Sequence, residues 1–174
     1  MKTILRAAAL SASTLLAMAQ AAPAPSSGAA GAAPKESWAI ATRANEHRTI
    51  IYRYIDELGP KAGERAFQRE RVTLRWHYDA DANNGMPTDA DKAGMDELED
   101  LLDPVVERDG FSNLALVTTG EGDRVWIWYA RSGADFRERM ARAMRGHGPY
   151  PVEVDVATDP GWTAYEDVVG SVRR

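Results

Sequence analysis

Two stretches of the chain open with the same helix-starting device, and alternating strands surround both. Thr88 and Asp91, and then Ser132 and Asp135, stand three residues apart. At that spacing a hydroxyl accepts the third residue's backbone N–H while the carboxylate reaches back, as in a capping box. Behind the first pair, Met95, Leu98, Leu101, Leu102 and Val105 recur at three- and four-residue intervals. Behind the second, Phe136, Met140, Ala143 and Met144 form a similar stripe, so each segment predicts a helix with one apolar face. The stretches VTLRWHYD (72–79), LALVTT (114–119), RVWIWYA (124–130) and PVEVDVA (151–157) alternate with period two, the mark of strands. A Gly-Glu-Gly-Asp link between the middle two predicts a hairpin. From Val72 to Ala157 the order is β-α-β-β-α-β, the ferredoxin-like arrangement of an antiparallel sheet with both helices on one face.

Two further strands, SWAIAT (37–42) and RTIIYRYI (48–55), form a hairpin that either extends this sheet or covers its other face. The charged stretch 56–71 breaks at Gly59-Pro60 and reads as a loop, with or without a short helix. Asp159 and Pro160 read as N-cap and first residue of a short C-terminal helix. That helix would carry Trp162 and Tyr165 back onto the body. The expected fold class is therefore α+β: a ferredoxin-like βαββαβ sandwich with an added N-terminal β-hairpin and a short C-terminal helix.

The N-terminus carries different information. Lys2 and Arg6 precede an apolar run from Ala7 to Ala19, and small residues occupy 19–21. This is the pattern of a signal peptide, residues 1–21, cleaved after Ala21. The run is too short and Ala-rich for a membrane anchor of roughly twenty apolar residues. The expected location is periplasmic or secreted, with no transmembrane segment after processing. Residues 22–36, APAPSSGAAGAAPKE, have the composition of a flexible linker. Residues 37–174 then form a single α+β domain, long enough for one core. The chain has no cysteine, which excludes disulfides, thiol chemistry and a lipidated N-terminus. Without Lys2 and Arg6 the basic count falls from 21 to 19 against 26 acidic residues, a net charge of −7. Nucleic-acid binders carry the opposite balance, so no nucleic-acid partner is expected.

Candidate sites come from four features. Trp126 and Trp128 face one way on their strand, Val125, Ile127 and Tyr129 the other. One apolar face belongs under the helices. The second is either covered by the hairpin or the Trp162–Tyr165 segment, or exposed as a stacking surface, and coverage is the usual fate of such faces in soluble domains. In HYDADANNG (77–85), Asp79, Asp81 and Asn83 fall at alternate positions, as oxygen ligands do in a calcium loop. The sixth position is Asn84 and the twelfth is Ala90, where an EF-hand needs Gly and Glu. The alternative is an Asp/Asn/Gly turn whose side chains bond their own backbone. His77 shares a polar strand face with Arg75 and Asp79, so it is either solvated or a proton-transfer group in a cleft. It has no metal-ligand spacing to His47 or His147. Neither a nucleophile elbow nor a phosphate loop is present. Finally, the first helix carries Asp96, Glu97, Glu99, Asp100 and Asp103. These form either a solvated face or an acidic docking surface, through Asp96, Glu97 and Asp100, for a basic protein partner.

Trp38, the acidic MDELEDLLD helix, LVTTGEGDRVWIWY, the PYPVEV strand and the closing DPGWTAY occur in an order that resembles the domain of unknown function 695 family. Its members tend to end in Asp-Pro-x-Trp-x-x-Tyr, here Asp159, Pro160, Trp162 and Tyr165. The resemblance spans Trp38 to Tyr165 and implies a fold but no catalytic residue. More loosely, the chain is similar to the small ferredoxin-like regulators that inhibit ribonuclease E. The leader sets it apart from a cytoplasmic ribonuclease partner. The functional expectation is an exported, non-catalytic binding or regulatory module for a protein partner in the cell envelope, with no cofactor. The alternative is a small-ligand or calcium-binding protein, or an enzyme, using the strand end around His77 to Asp81.

Overall fold

The alternating segments become six strands of one antiparallel sheet, in a mixed α+β fold with three helices. The computed structural model describes residues 37–44 and 49–174. The leader and linker assignments lie outside the described residues. In chain order the elements are β1 (Ser37–Ala44), β2 (Thr49–Glu57), β3 (Glu70–His77), α1 (Asp89–Val106), β4 (Ser112–Gly120), β5 (Asp123–Ala130), α2 (Gly133–Ala143), β6 (Val152–Thr158) and α3 (Thr163–Val172). Short 3-10 turns fill Gly59–Gly63 and Arg108–Gly110. The strands lie side by side as β1-β2-β4-β5-β3-β6, so the N-terminal hairpin extends the sheet beyond β4.

The two helix starts work as the sequence requires. At α1 the Thr88 side chain accepts from Asp91 N–H and the Asp91 carboxylate accepts from Thr88 N–H. At α2, Ser132 accepts from Asp135 N–H. Both helices lie on one face of the sheet. There Met95, Leu98, Leu102, Val106 and Phe136 pack on Val72, Leu74, Leu114, Val117, Trp126 and Trp128. Trp128 meets Phe136 in a tilted aromatic pair with centroids 5.6 Å apart. Strict alternation in β4 would put Leu114 and Leu116 on one face. A bulge between them turns Leu114 and Val117 to the helix side and Ala115 and Leu116 to the other. One extra residue thus lets a single strand feed two cores.

The second core lies under α3. Trp162 stacks flat on Tyr129, centroids 4.1 Å apart and rings 7° from parallel, and meets Tyr165 edge-on. The indole N–H donates to the Gln68 carbonyl at 2.8 Å, and the Tyr165 hydroxyl donates to the Ile55 carbonyl. Asp159 ties these parts together. Its carboxylate accepts from Tyr129 O–H (2.7 Å) and from the N–H groups of Thr163 (2.8 Å) and Ala164 (3.1 Å). Burial alone would raise this carboxyl. The donated hydrogen bonds overrule it and hold the group at about 2. The folded pKa is depressed, so this stabilisation is present above the ordinary value of 3.8 and is lost as pH falls through about 2. The helix start differs from the sequence expectation in one respect. Trp162, not Asp159, is the N-cap residue, and its φ of 58° and ψ of 36° are left-handed. Asp159 reaches the first turn of α3 across Pro160, Gly161 and Trp162. That geometry frees the indole to point down onto the sheet instead of along the helix.

Trp162 has no solvent exposure. Trp162→Ala is expected to lower stability by about 3–5 kcal/mol, read as a shift in the urea midpoint. Trp162→Phe should retain part of the loss because a ring still stacks on Tyr129.

Candidate functional site

The structure removes the tryptophan stacking surface. Trp126 and Trp128 have no exposed area and lie beneath α1 and α2, so neither ring has a surface to offer a ligand. The Trp126 indole N–H donates to Glu99 Oε2 at 2.7 Å.

The acidic face of α1 is largely committed to its own molecule. Asp96 accepts from Arg124 at 3.0 Å and from Lys92. Glu99 accepts from Arg124 at 3.2 Å and pairs with Arg53. Glu97 accepts from the Tyr150 hydroxyl at 2.9 Å and lies 3.9 Å from the ring nitrogen of His147. Asp100 is exposed. A docking surface built from Asp96, Glu97 and Asp100 would therefore compete with the Asp96–Arg124 pair that fixes α1 to β5 and with the Tyr150–Glu97 hydrogen bond. A lysine at 96 would face Arg124 and Lys92 and weaken the fold along with any docking.

The loop after β3 spends its polar groups on itself. Asp79 accepts from Asp81 N–H at 2.9 Å, and the Asn83 side-chain amide donates to the Pro87 carbonyl at 2.9 Å. The Tyr78 hydroxyl donates to the Gly85 carbonyl, also at 2.9 Å. Asn84 and Gly85 are both left-handed, which is where Asn and Gly are favoured. Among the described residues, no group of three or more His, Asp or Glu side chains is arranged to hold a metal ion.

His77 ends β3 on the outer face of the sheet. Its Nδ1 contacts Asp123, and its Nε2 lies 3.6 Å from Glu153. Arg75 donates to the other oxygen of Asp123 at 3.1 Å. This network borders an open cleft of about 410 Å³ lined by Arg71, Thr73, Arg75, His77, Glu153 and Asp155. The cleft joins His77 to residues of β5 and β6. It does not include the Asp79–Asn83 loop with which the sequence grouped it.

A second surface was missed by sequence reasoning altogether. Beyond α1 no described residue covers the helix-side face of β1 and β2, and Trp38 (39 % exposed) and Ile40 (72 % exposed) stand on it at alternate positions. Beside them runs a groove of about 280 Å³. Ile40, Ile51, Met86, Pro87 and Val117 form its apolar wall, and Arg53, Lys92, Asp96 and Arg124 line its polar side, the three cations paired with Asp96 and Glu99. The Arg53 guanidinium sits over the Trp38 ring, 5.1 Å from its centroid. The available signal was the charge-free run from Ser37 to Thr42 in a chain rich in charge.

The edges of the sheet differ in the same sense. β6 carries outward Glu153 and Asp155, and Arg137 donates to its Val154 carbonyl at 3.3 Å. Charges and covered carbonyls of this kind blunt an edge against further pairing. β1 has no such protection from Ser37 to Thr42.

Compared with known proteins, residues 36–169 match the model of the Family of unknown function (DUF695). No curated protein and no solved structure matches the chain.

One titratable group on α1 gives a pH test of these electrostatics. Asp103 is largely removed from water, its Oδ1 is buried without a hydrogen-bond partner, and Glu107 and Glu99 lie on the same helix face. Burial first, then these two carboxylates, raise its carboxyl from 3.8 to about 7, against the opposing pull of Arg53 and Lys61. A raised folded value means that stability is full below the ordinary carboxylate range and falls as pH climbs through about 7. Asp103→Asn should therefore be more stable than the parent at pH 8 and gain nothing at pH 4, as compared by urea midpoints at the two values.

Proposed function

We propose that this chain, which belongs to the DUF695 family, is an exported, non-catalytic binding module that takes an extended segment of a protein partner along the free edge of β1. The observation that carries this reading is the contrast between the two sheet edges. From Ser37 to Thr42 β1 offers a charge-free edge with Trp38 and Ile40 exposed on one face, while β6 is guarded by charge and by Arg137. Strand addition draws affinity from main-chain hydrogen bonds and specificity from alternate side chains. The groove beside Ile40 favours a segment with apolar side chains on one face.

The ferredoxin-like core belongs to the same proposal. The order β4-β5-β3-β6 with antiparallel neighbours and α1 and α2 on one face supports that topology. The β1–β2 hairpin is then an addition that carries the binding edge. Export rests on the signal-peptide pattern of residues 1–21 and on residues 22–36 as a tether.

Two measurements test this reading. Selection of a random peptide library on the immobilised protein should enrich segments with apolar residues at alternate positions. Ile40→Lys should weaken those peptides by about tenfold or more, equivalent to about 1.4 kcal/mol, with an unchanged melting temperature. Failure to enrich any such sequence, or equal binding to the variant, would overturn strand addition. Separately, N-terminal sequencing of protein recovered from the periplasm or medium of an expressing bacterium should read from Ala22. Retention of Met1 would overturn export.

A further inference from the structure

We propose that the cleft on the outer face of β3 and β6 binds a small zwitterion of the α-amino-acid class, with its carboxylate on Arg71 and its ammonium on Asp155. This site lies on the opposite face of the sheet from the groove beside Ile40 and does not depend on the peptide-binding proposal.

Most of the charges in the cleft are already used. Asp123 binds both Arg75 and His77, and His77 also approaches Glu153. Two charged groups of opposite sign are left over. Among the described residues, Arg71 and Asp155 each make no hydrogen bond or ion pair through their side chains, either with each other or with any neighbour. Arg71 is only partly exposed, and its Nε is buried without an acceptor. A buried N–H left without a partner is costly, which makes an unpaired guanidinium in a folded protein a group to be explained. The guanidinium fork matches a carboxylate in two parallel hydrogen bonds, a geometry that lysine cannot offer.

The strand register sets the spacing. Arg71 stands opposite Ala157, and Thr73 stands opposite Asp155. Arg71 and Asp155 are therefore diagonal neighbours, roughly 7–8 Å apart at their Cα atoms. Ala157 presents only a methyl group beside Arg71, which leaves room above that part of the sheet. Thr73, between the two charges, offers a hydroxyl that can donate to the carboxylate or accept from the ammonium. At about 410 Å³ the cleft lies at the lower end of the roughly 300–1,000 Å³ typical of small-molecule sites.

Charge balance selects the ligand class. A simple anion would gain Arg71 but meet Asp155 and Glu153 at the rim. A simple cation would meet Arg71 and Arg75. A zwitterion satisfies both leftover groups at once and leaves the Arg75–Asp123–His77 network undisturbed.

The test is an NMR titration of the ¹⁵N-labelled full chain with each of the standard amino acids, with propionate and ethylamine as single-charge controls. At least one amino acid should shift the amide resonances of Arg71, Thr73 and Asp155 saturably. Arg71→Gln and Asp155→Asn, each checked by its melting curve, should each weaken that binding by about tenfold or more. Propionate and ethylamine should bind at least about tenfold more weakly than the amino acid. The proposal is overturned if no amino acid gives a saturable shift at these residues. It is also overturned if propionate binds as tightly as the amino acid, or if both folded variants bind like the parent.

Discussion

The contact on which the architecture turns is the flat stack of Trp162 on Tyr129, locked by Asp159. Tyr129 lies on β5 beneath the outer face, and Trp162 lies at the entry to α3. Asp159 joins the two by accepting from the Tyr129 hydroxyl while capping the first turn of α3. Asp159, Pro160, Trp162 and Tyr165 thus form a clasp. Asp159 and Pro160 make the corner, Trp162 supplies the buried ring, and Tyr165 pins the helix to β2 through the Ile55 carbonyl. Their spacing follows from geometry: a shift of one residue would take the indole off Tyr129.

The clasp divides the surface into parts with different uses. α3 covers the outer face over Tyr54, Ala115, Leu116 and Tyr129, and so leaves the polar strip of β3 and β6 open. On the other face α1 and α2 cover Trp126 and Trp128, and stop short of β1 and β2. Arg53, Arg124, Asp96 and Glu99 form the seam where that coverage ends. The acids of α1 hold the helix to the sheet at this seam, which explains why a run of charge that reads as a docking face is mostly occupied. The open surfaces are the helix-side face of β1 and β2 and the outer face of β3 and β6, each beside the helix that covers the rest of that face.

Local chemistry was readable from the sequence wherever one segment decided it. The six strands emerged from period-two alternation, and the two capped helices from Thr88–Asp91 and Ser132–Asp135. The anchoring part of Trp162 and Tyr165 followed from large apolar side chains after a helix-start signal. What did not emerge depended on partners distant in the chain. No pattern around Leu114–Leu116 announces the bulge, because it answers to two cores on opposite faces. Asp96 and Glu99 look solvated until β2 and β5 bring Arg53 and Arg124 alongside. His77 was grouped with Asp79 by proximity in sequence, whereas the sheet groups it with Asp123 and Glu153. The edge position of β1 is a property of strand order, and alternation within one strand carries no record of its neighbours.

The central claim is that β1 is a folded strand with a vacant edge. Native-state amide hydrogen exchange on the full chain tests it directly, because outward-facing N–H groups of an unpaired edge have no acceptor to protect them. The account expects a two-residue rhythm along Ser37–Ala44: amides bonded to β2 protected, and those between them exchanging like loop residues, while β4 and β5 amides exchange only through global opening. Uniform protection of every β1 amide at the level of β4 and β5 would contradict it, since another strand would then already be paired with that edge.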